Sequence, residues 1–340
     1  MTTWLNDPTF VAGILTGAAA TVILLITISA YFLLSRDNYG LDHWKLNVQA
    51  PLTETMWMNL GYWEFSSKFI EACDAYVRLV LRTADIIGNQ GSDQPIAILD
   101  IGIGCGDQTR TIIGCIDTLT VPPKFLSYVG ITINQAQLRV ASQKYQTPRA
   151  LTKRTTLDSF HLVCADASKP HNWPEEVKSA VGKFKEYEKP TRKWLLASDC
   201  LYHFSPSRKP IWQYAARNLG MNFMGSDLCL SKTATWRETM LARLIGVLMG
   251  CPWKAFLMEE EYWEQLVACG YERDSIIIKD VSEHVFPGLV AFLERQDKVL
   301  AESGISLGGG FRLARRVFGW FATSKAVRAV TVVAKVVKND

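Results

Sequence analysis

Two short stretches hold residue types whose spacing suits chemistry. The first, LDIGIGCGDQT at 99–109, is an aliphatic run ending in Asp100 and breaking into Gly102, Gly104 and Gly106, with Asp107 next but one after Cys105. Glycines there let the backbone approach a ligand closely and accept positive φ. A dinucleotide turn would read GxGxxG and set a helix N-terminus on a pyrophosphate. The spacing here is GxGxG, and an acid at 107 opposes a pyrophosphate, so a ligand without phosphates fits better. The second stretch, SDCLYHF at 198–204, gathers Asp199, Tyr202 and His203. Asp199 and His203 are spaced i, i+4 and share a face if that turn is helical. A histidine titrates near neutral pH and suits proton transfer; a structural histidine in a turn is an equally good reading.

Something must position these residues. Strand-like runs occur at 97–102, 125–133, 160–166, 194–199, 227–232, 275–281 and 329–337, with helix-compatible segments at 134–145, 174–184 and 209–219 between them. Such alternation predicts a parallel, doubly wound α/β sheet of seven strands, with a helical insertion before the last. Ahead of it, 66–87 carries Phe69, Cys73, Tyr76, Val77, Val80 and Leu81 at helical spacing. In an open parallel sheet, ligands bind beyond the carboxyl ends of the strands, which is where both stretches fall.

LDIGIGCGD resembles the first motif of the class I S-adenosylmethionine-dependent methyltransferases. VGITINQAQL (129–138) is similar to the GITxSxxQ pattern of their small-molecule branch, which includes cyclopropane fatty acid synthases and tocopherol methyltransferases. HLVCADAS (161–168) resembles the third-strand motif, and MWMNLGYWE (56–64) the N-terminal lid with its NxGYW-type pattern. The resemblance covers roughly residues 55–285. It implies a Rossmann-like fold and S-adenosylmethionine as cofactor. Asp100, Gly102, Gly104, Gly106 and Asp107 would cradle its amino-acid part, and Asp166 with Ala167 would read the adenine.

Thr132 and Gln137 would meet the ribose hydroxyls, since no Asp or Glu lies between Asp117 and Asp158. That absence also disfavours an NAD-dependent oxidoreductase. Tyr62, with Trp63, would close over the sulfonium, core packing being the competing reading. Asn59 and Gly61 would shape the lid turn. His203, Tyr202 and Asp199 are the catalytic candidates, His203 as general base if the acceptor is a hydroxyl. Cyclopropane synthases carry a Glu where this chain has Tyr202, which weakens a cyclopropanating role.

From Phe10 to Leu34 the sequence has no charged residue, and such a helix can cross a hydrocarbon core of roughly 30 Å. MTTWLNDP lacks the basic flank of a cleaved signal peptide. Arg36 and Lys45 follow the apolar run, so the positive-inside rule puts the following domain in the cytosol, as on the endoplasmic reticulum. The expected organisation is an anchor over 1–35, a connector and lid over 36–90, and a methyltransferase domain over 91–340. The segment 241–271 supplies an apolar roof for a small, lipophilic acceptor, and FRLARRVFGWF (311–321) segregates its arginines as an interfacial helix would.

The net charge of +4 and the lack of an Asn/Asp-Pro-Pro-aromatic element after strand four argue against nucleic acid as a partner. The 8 cysteines are scattered singly, which predicts neither a metal site nor a disulfide framework. A membrane-bound scaffold that keeps the cofactor pocket without turnover is the main alternative to an enzyme.

Overall fold

A computed structural model describes residues 8–34, 46, 55–88, 92–187, 191–302 and 304–337. Arg36, Lys45 and most of the expected connector lie outside the described residues.

The sheet is built from β1 (Ile96–Ile101), β2 (Phe125–Thr132), β3 (Thr156–Cys164), β4 (Arg192–Ser198), β5 (Asn222–Leu230), β6 (Leu257–Met258), β7 (Ile277–Asp280) and β8 (Val327–Ala334). Its order is β3-β2-β1-β4-β5-β8-β7, with the two-residue β6 paired to β5. Every residue of β1 is buried, as a strand covered on both faces requires. Ile96 and Ile98 face one core and Ala97, Leu99 and Ile101 the other.

The expectation of seven parallel strands needs two corrections. Among the described residues the sheet has eight strands, the seven expected and the two-residue β6, and β8 runs antiparallel to both β5 and β7. The connection explains the reversal. Between β7 and β8 the chain makes two helices, α9 (Ser282–Glu302) and α10 (Gly309–Ser324), rather than one. A single helix returns the chain for a parallel strand; a second carries it back to the end it left. β5 also starts five residues before the expected run. Asn222 and Gly225 are poor strand formers, but a Cβ at Gly225 would lie 2.2 Å from the Ala197 carbonyl oxygen, so the close approach of β4 requires glycine.

Helices α2 (Phe69–Thr83), α3 (Asp107–Asp117), α9 and α10 contribute to the core on one face. α5 (Glu175–Glu186), α6 (Lys209–Gln213, continued by a π-turn over Tyr214–Asn218) and α8 (Glu259–Cys269) cover the other. α4 (Gln135–Lys144) follows β2, and α7 (Trp236–Leu248) follows β5. All six apolar positions expected to face inward from α2 are buried.

α1 runs from Pro8 to Leu34 without a charged residue. Among the described residues no helix is long and apolar enough to cross a membrane. The side chains of Pro8, Phe10, Val11, Leu25 and residues 28–34 fall outside that description. The N-terminal helix is present, then, and the structure does not itself make it a membrane span.

The interfacial reading of 311–321 is corrected. Val317, Phe318 and Phe321, on the side away from the arginines, are buried in the core, where Phe318 and Phe321 meet Phe286 at ring-centroid distances of 6.0 and 5.5 Å. The arginines face outward because the opposite side of α10 packs on the protein.

Candidate active site

The glycine turn sits between the carboxyl end of β1 and the start of α3, beside the end of β2. Gly102, Gly104 and Gly106 have φ of +77°, +56° and +83°. At Gly102 a Cβ would come within 2.8 Å of the Cys200 side chain, and at Gly104 within 3.1 Å of Met58 Sδ. Both conformation and space therefore exclude a side chain. The N–H groups of Gly102 and Ile103 donate to the Ile131 carbonyl at 2.8 and 3.1 Å, which pins the turn to β2.

Asp100 lies wholly beneath this turn. Its carboxylate accepts from Gln108 Nε2 at 2.8 Å and from the Tyr128 hydroxyl at 2.6 Å. Burial pushes it up to about 7, against the lowering effect of those two donors. It has no exposed surface. Asp107 opens α3, where its Oδ2 accepts from Lys144 Nζ at 2.8 Å and from the Met56 N–H at 3.0 Å.

At the end of β2 the Thr132 hydroxyl donates to Gln137 Oε1 at 2.6 Å, and both residues are buried. Asn134 caps α4 by accepting from the N–H groups of Ala136 and Gln137. At the end of β3 Asp166 is only partly buried. Burial raises its carboxyl, but Ser168 and Lys169 more than offset this and hold it below the ordinary range. Lys169 Nζ stands 2.9 Å from its Oδ2. Ala167 beside it is buried. Asp166 thus remains charged and reachable at the rim, suitable for accepting from an amino group.

The lid segment is where the structure adds most. Met56, Met58 and Leu60 pass over the ends of the strands as a strap tied at three points. The Met56 N–H donates to Asp107, and Gln137 Nε2 donates to Met58 Sδ at 3.4 Å. The Leu60 N–H donates to Asp199 Oδ2 at 2.7 Å. Met58 therefore bridges the glycine turn and the end of β2. Sequence reasoning found the segment through its resemblance to a lid but chose its aromatic residues.

Those residues have other partners. Trp63 is buried, donates through Nε1 to the Leu60 carbonyl at 2.8 Å and packs on Phe69 and Phe292. The Tyr62 hydroxyl donates to Glu64 Oε2, and its ring meets His284 edge-on at 5.2 Å. Asn59 and Gly61 do shape the turn: Asn59 Oδ1 accepts the Gly61 N–H at 3.0 Å, and Gly61 has φ of +76°.

Beyond β4, Asp199 adopts φ of +59° and its Oδ1 accepts the Tyr202 hydroxyl at 2.9 Å. It retains some exposed surface, yet it is packed deeply enough that burial pushes it up to about 7 against its two donors. The helical turn covers only Leu201–His203, so the carboxylate of Asp199 is brought to Tyr202 and to the strap. The His203 ring lies 4.5 Å from that of Tyr202, and its Nδ1 is 3.5 Å from Cys251 Sγ. Phe256 completes this side, its ring 6.4 Å from Tyr202.

Behind it, Arg208 and Asp227 form a buried ion pair. Tyr262 donates to Asp227 at 3.0 Å, and Arg208 also donates to the Ala255 carbonyl. Nothing in the sequence pattern marked this pair, whose members come from separate elements. Among the described residues no group of His, Cys, Asp and Glu could hold a metal ion.

No family model matches the sequence, and neither does any curated protein. Solved structures do match in fold. The cyclopropane synthase MmaA2 from Mycobacterium tuberculosis superposes with a TM-score of 0.55 at 14% identity, covering 88% of this chain and 95% of that one. The [4+2]-cyclase SpnF gives 0.51 at 18% identity, covering 82% and 88%. The geranyl diphosphate C-methyltransferase from Streptomyces coelicolor A3(2), crystallised with Mg2+, geranyl diphosphate and S-adenosyl-L-homocysteine, gives 0.51 at 12% identity, covering 89% and 99%. The chain has the fold of the class I S-adenosylmethionine-dependent methyltransferases, and small-molecule enzymes are among its structural neighbours.

Proposed function

We propose that this protein is an S-adenosylmethionine-dependent methyltransferase acting on a small, lipophilic acceptor at a membrane surface. The observation that carries the reading is the covered glycine turn: three left-handed glycines at the carboxyl end of β1, with Met58 packed on Gly104, and two acids near neutral titration at the ends of β1 and β4. Such a cradle suits a cationic ligand without phosphates. Gly102, Gly104 and Gly106 would hold the amino-acid part, Asp166 the adenine amino group, and Thr132 with Gln137 the ribose edge. The cofactor supplies a methyl group on a sulfonium, open to in-line displacement by a nucleophile.

The chain itself must orient the acceptor and keep water out. The strap does the second, and Tyr202, Cys251 and Phe256 offer an apolar wall for the first. His203 takes the proton of a hydroxyl acceptor, and Asp199 fixes Tyr202 beside it. The membrane placement rests on the sequence, where residues 10–34 carry no charge. Arg36 and Lys45, following it in the sequence, favour a cytosolic domain.

The test incubates the full chain with methyl-labelled cofactor and a lipid extract. Acceptor-dependent S-adenosylhomocysteine is expected, together with binding of S-adenosylmethionine and not of NAD. Cofactor binding without turnover across lipid, sterol and polyketide-like pools would establish the scaffold alternative. His203→Gln should lower kcat about a hundredfold, the scale of general-base catalysis, and leave cofactor affinity unchanged.

A further inference from the structure

α7 is capped at its start by Thr235 and Glu238, which exchange hydrogen bonds. Its inner face, Ala242, Ile245, Gly246 and Met249, packs on the core, with Phe256 against Gly246. Its outer face is apolar as well. Trp236 is 72% exposed, Leu244 51% and Met240 45%, with Leu241 and Leu248 beside them and Trp253 just beyond the helix. Scattered exposed apolar residues are ordinary on a protein surface, but six large ones along one helix and its following turn are not.

The charges within this segment are mostly basic. Arg237, Arg243 and Lys254 occupy the segment, and its one acid, Glu238, is held in the cap. The Arg237 guanidinium lies 5.4 Å from the Trp236 ring. Tryptophan and leucine flanked by arginine and lysine form the pattern of a helix lying in an anionic lipid interface. Uncharged α1 passes alongside α7 without covering its outer face.

We propose that the outer face of α7, continued by Trp253, docks on an anionic lipid bilayer and opens the acceptor site toward it. The inner side of the same segment reaches that site directly. Cys251 Sγ lies 3.5 Å from His203 Nδ1, and Phe256 faces Tyr202. An acceptor leaving the bilayer beside α7 thus crosses one helix thickness to arrive at His203. The entry route rests on the methyltransferase reading above, whereas the docking does not.

The experiment places the full chain in vesicles of phosphatidylcholine with brominated acyl chains and phosphatidylglycerol. Bromolipid quenching of tryptophan emission should be smaller in Trp236→Phe/Trp253→Phe than in the wild type; equal quenching overturns the docking. Cross-linking between copies through Met240→Cys would assign the face to a second copy and likewise overturn it. Trp236→Glu/Met240→Glu, with folding checked by cofactor binding, should lower methylation of a lipid extract in vesicles about tenfold and leave it unchanged in detergent micelles. Equal losses in both would overturn the entry route. If the wild type methylates nothing in either presentation, the functional reading fails, and the quenching still decides the docking.

Discussion

Asp199 ties the strap to the sheet, and removing that tie has a calculable effect on cofactor binding. Its Oδ2 accepts the Leu60 N–H at 2.7 Å and its Oδ1 the Tyr202 hydroxyl at 2.9 Å, with φ of +59°. Asp199→Gly suits that backbone and removes both acceptors. Asp199→Asn keeps an acceptor for Leu60 and turns its amide hydrogens to the Tyr202 oxygen, which can accept as well as donate. A hydrogen bond to a charged group is worth about 1.5–3 kcal/mol. Loss of the Leu60 bond therefore frees the strap by about 2 kcal/mol, and S-adenosylmethionine affinity should fall about thirtyfold in the glycine variant. The asparagine variant should stay within about threefold of the wild type, since its hydrogen bonds persist at reduced strength. Titration calorimetry at pH 8 measures both. Wild-type affinity in Asp199→Gly would refute the strap's role, and equal losses in both variants would refute the hydrogen-bonding account.

The same residue sets a pH dependence. Burial raises Asp199 and Asp100 each to about 7, from an ordinary value of 3.8. Between those values the folded chain keeps protons that the unfolded chain has released. Their contribution to stability is fully present below about pH 4, is lost as the pH rises through 7, and is constant beyond it. A cationic ligand favours the ionised carboxylates, so its affinity runs the other way, level above pH 7 and falling below it. The slope reaches up to about tenfold per pH unit for Asp100, whereas the whole fall through Asp199 is about threefold, because its neutral form keeps the hydrogen bonds that asparagine keeps. Asp199→Asn should remove one of the two contributions, and S-adenosylhomocysteine, which lacks the sulfonium charge, should show a shallower profile. A wild-type slope that survives Asp199→Asn would refute the assignment.

Gly102→Ala forces a side chain at φ of +77° into the Cys200 side chain, at 2.8 Å. The left-handed backbone alone costs about 1–2 kcal/mol, so scanning fluorimetry should show Tm lower by about 2–5 °C, with cofactor binding lost. Arg208→Met leaves Asp227 buried without its counter-ion and should cost about 3–5 kcal/mol in denaturant unfolding, most of which Arg208→Met/Asp227→Leu should restore. Asp166→Ala should weaken S-adenosylhomocysteine binding about tenfold and erase its preference over the inosine analogue, as read by competition binding.

What the sequence made legible follows from how local each signal is. The glycine turn could be read because its φ values and its place at a strand end are written in neighbouring residues. The buried faces of α2 and β1 could be read from period alone. The direction of β8 could not, because it depends on α9 and α10 being two passes rather than one. The amphipathic pattern of 311–321 was correctly seen, but a helical wheel does not say whether protein or lipid meets the apolar side. The buried Phe318 and Phe321 answer for α10, while Trp236 and Leu244 of α7 are exposed, and it is for them that we propose lipid.

The lid shows the same limit at a single residue. Tyr62 and Trp63 were the natural choice to cover a sulfonium, because aromatic faces attract cations. Gly61, with its left-handed φ, turns the chain immediately before them, and Trp63 continues inward to Phe69 and Phe292. The residues before that turn are the ones left over the strand ends. A thioether can fill the irregular space between a glycine turn and a glutamine because it is unbranched and polarizable. Met58 meets Gly104 and Gln137, partners far along the chain, and no periodicity encodes such a meeting. Met58→Ala should therefore weaken cofactor affinity more than Tyr62→Phe does, and the opposite ranking in the same calorimetric assay would return the lid to its aromatic residues.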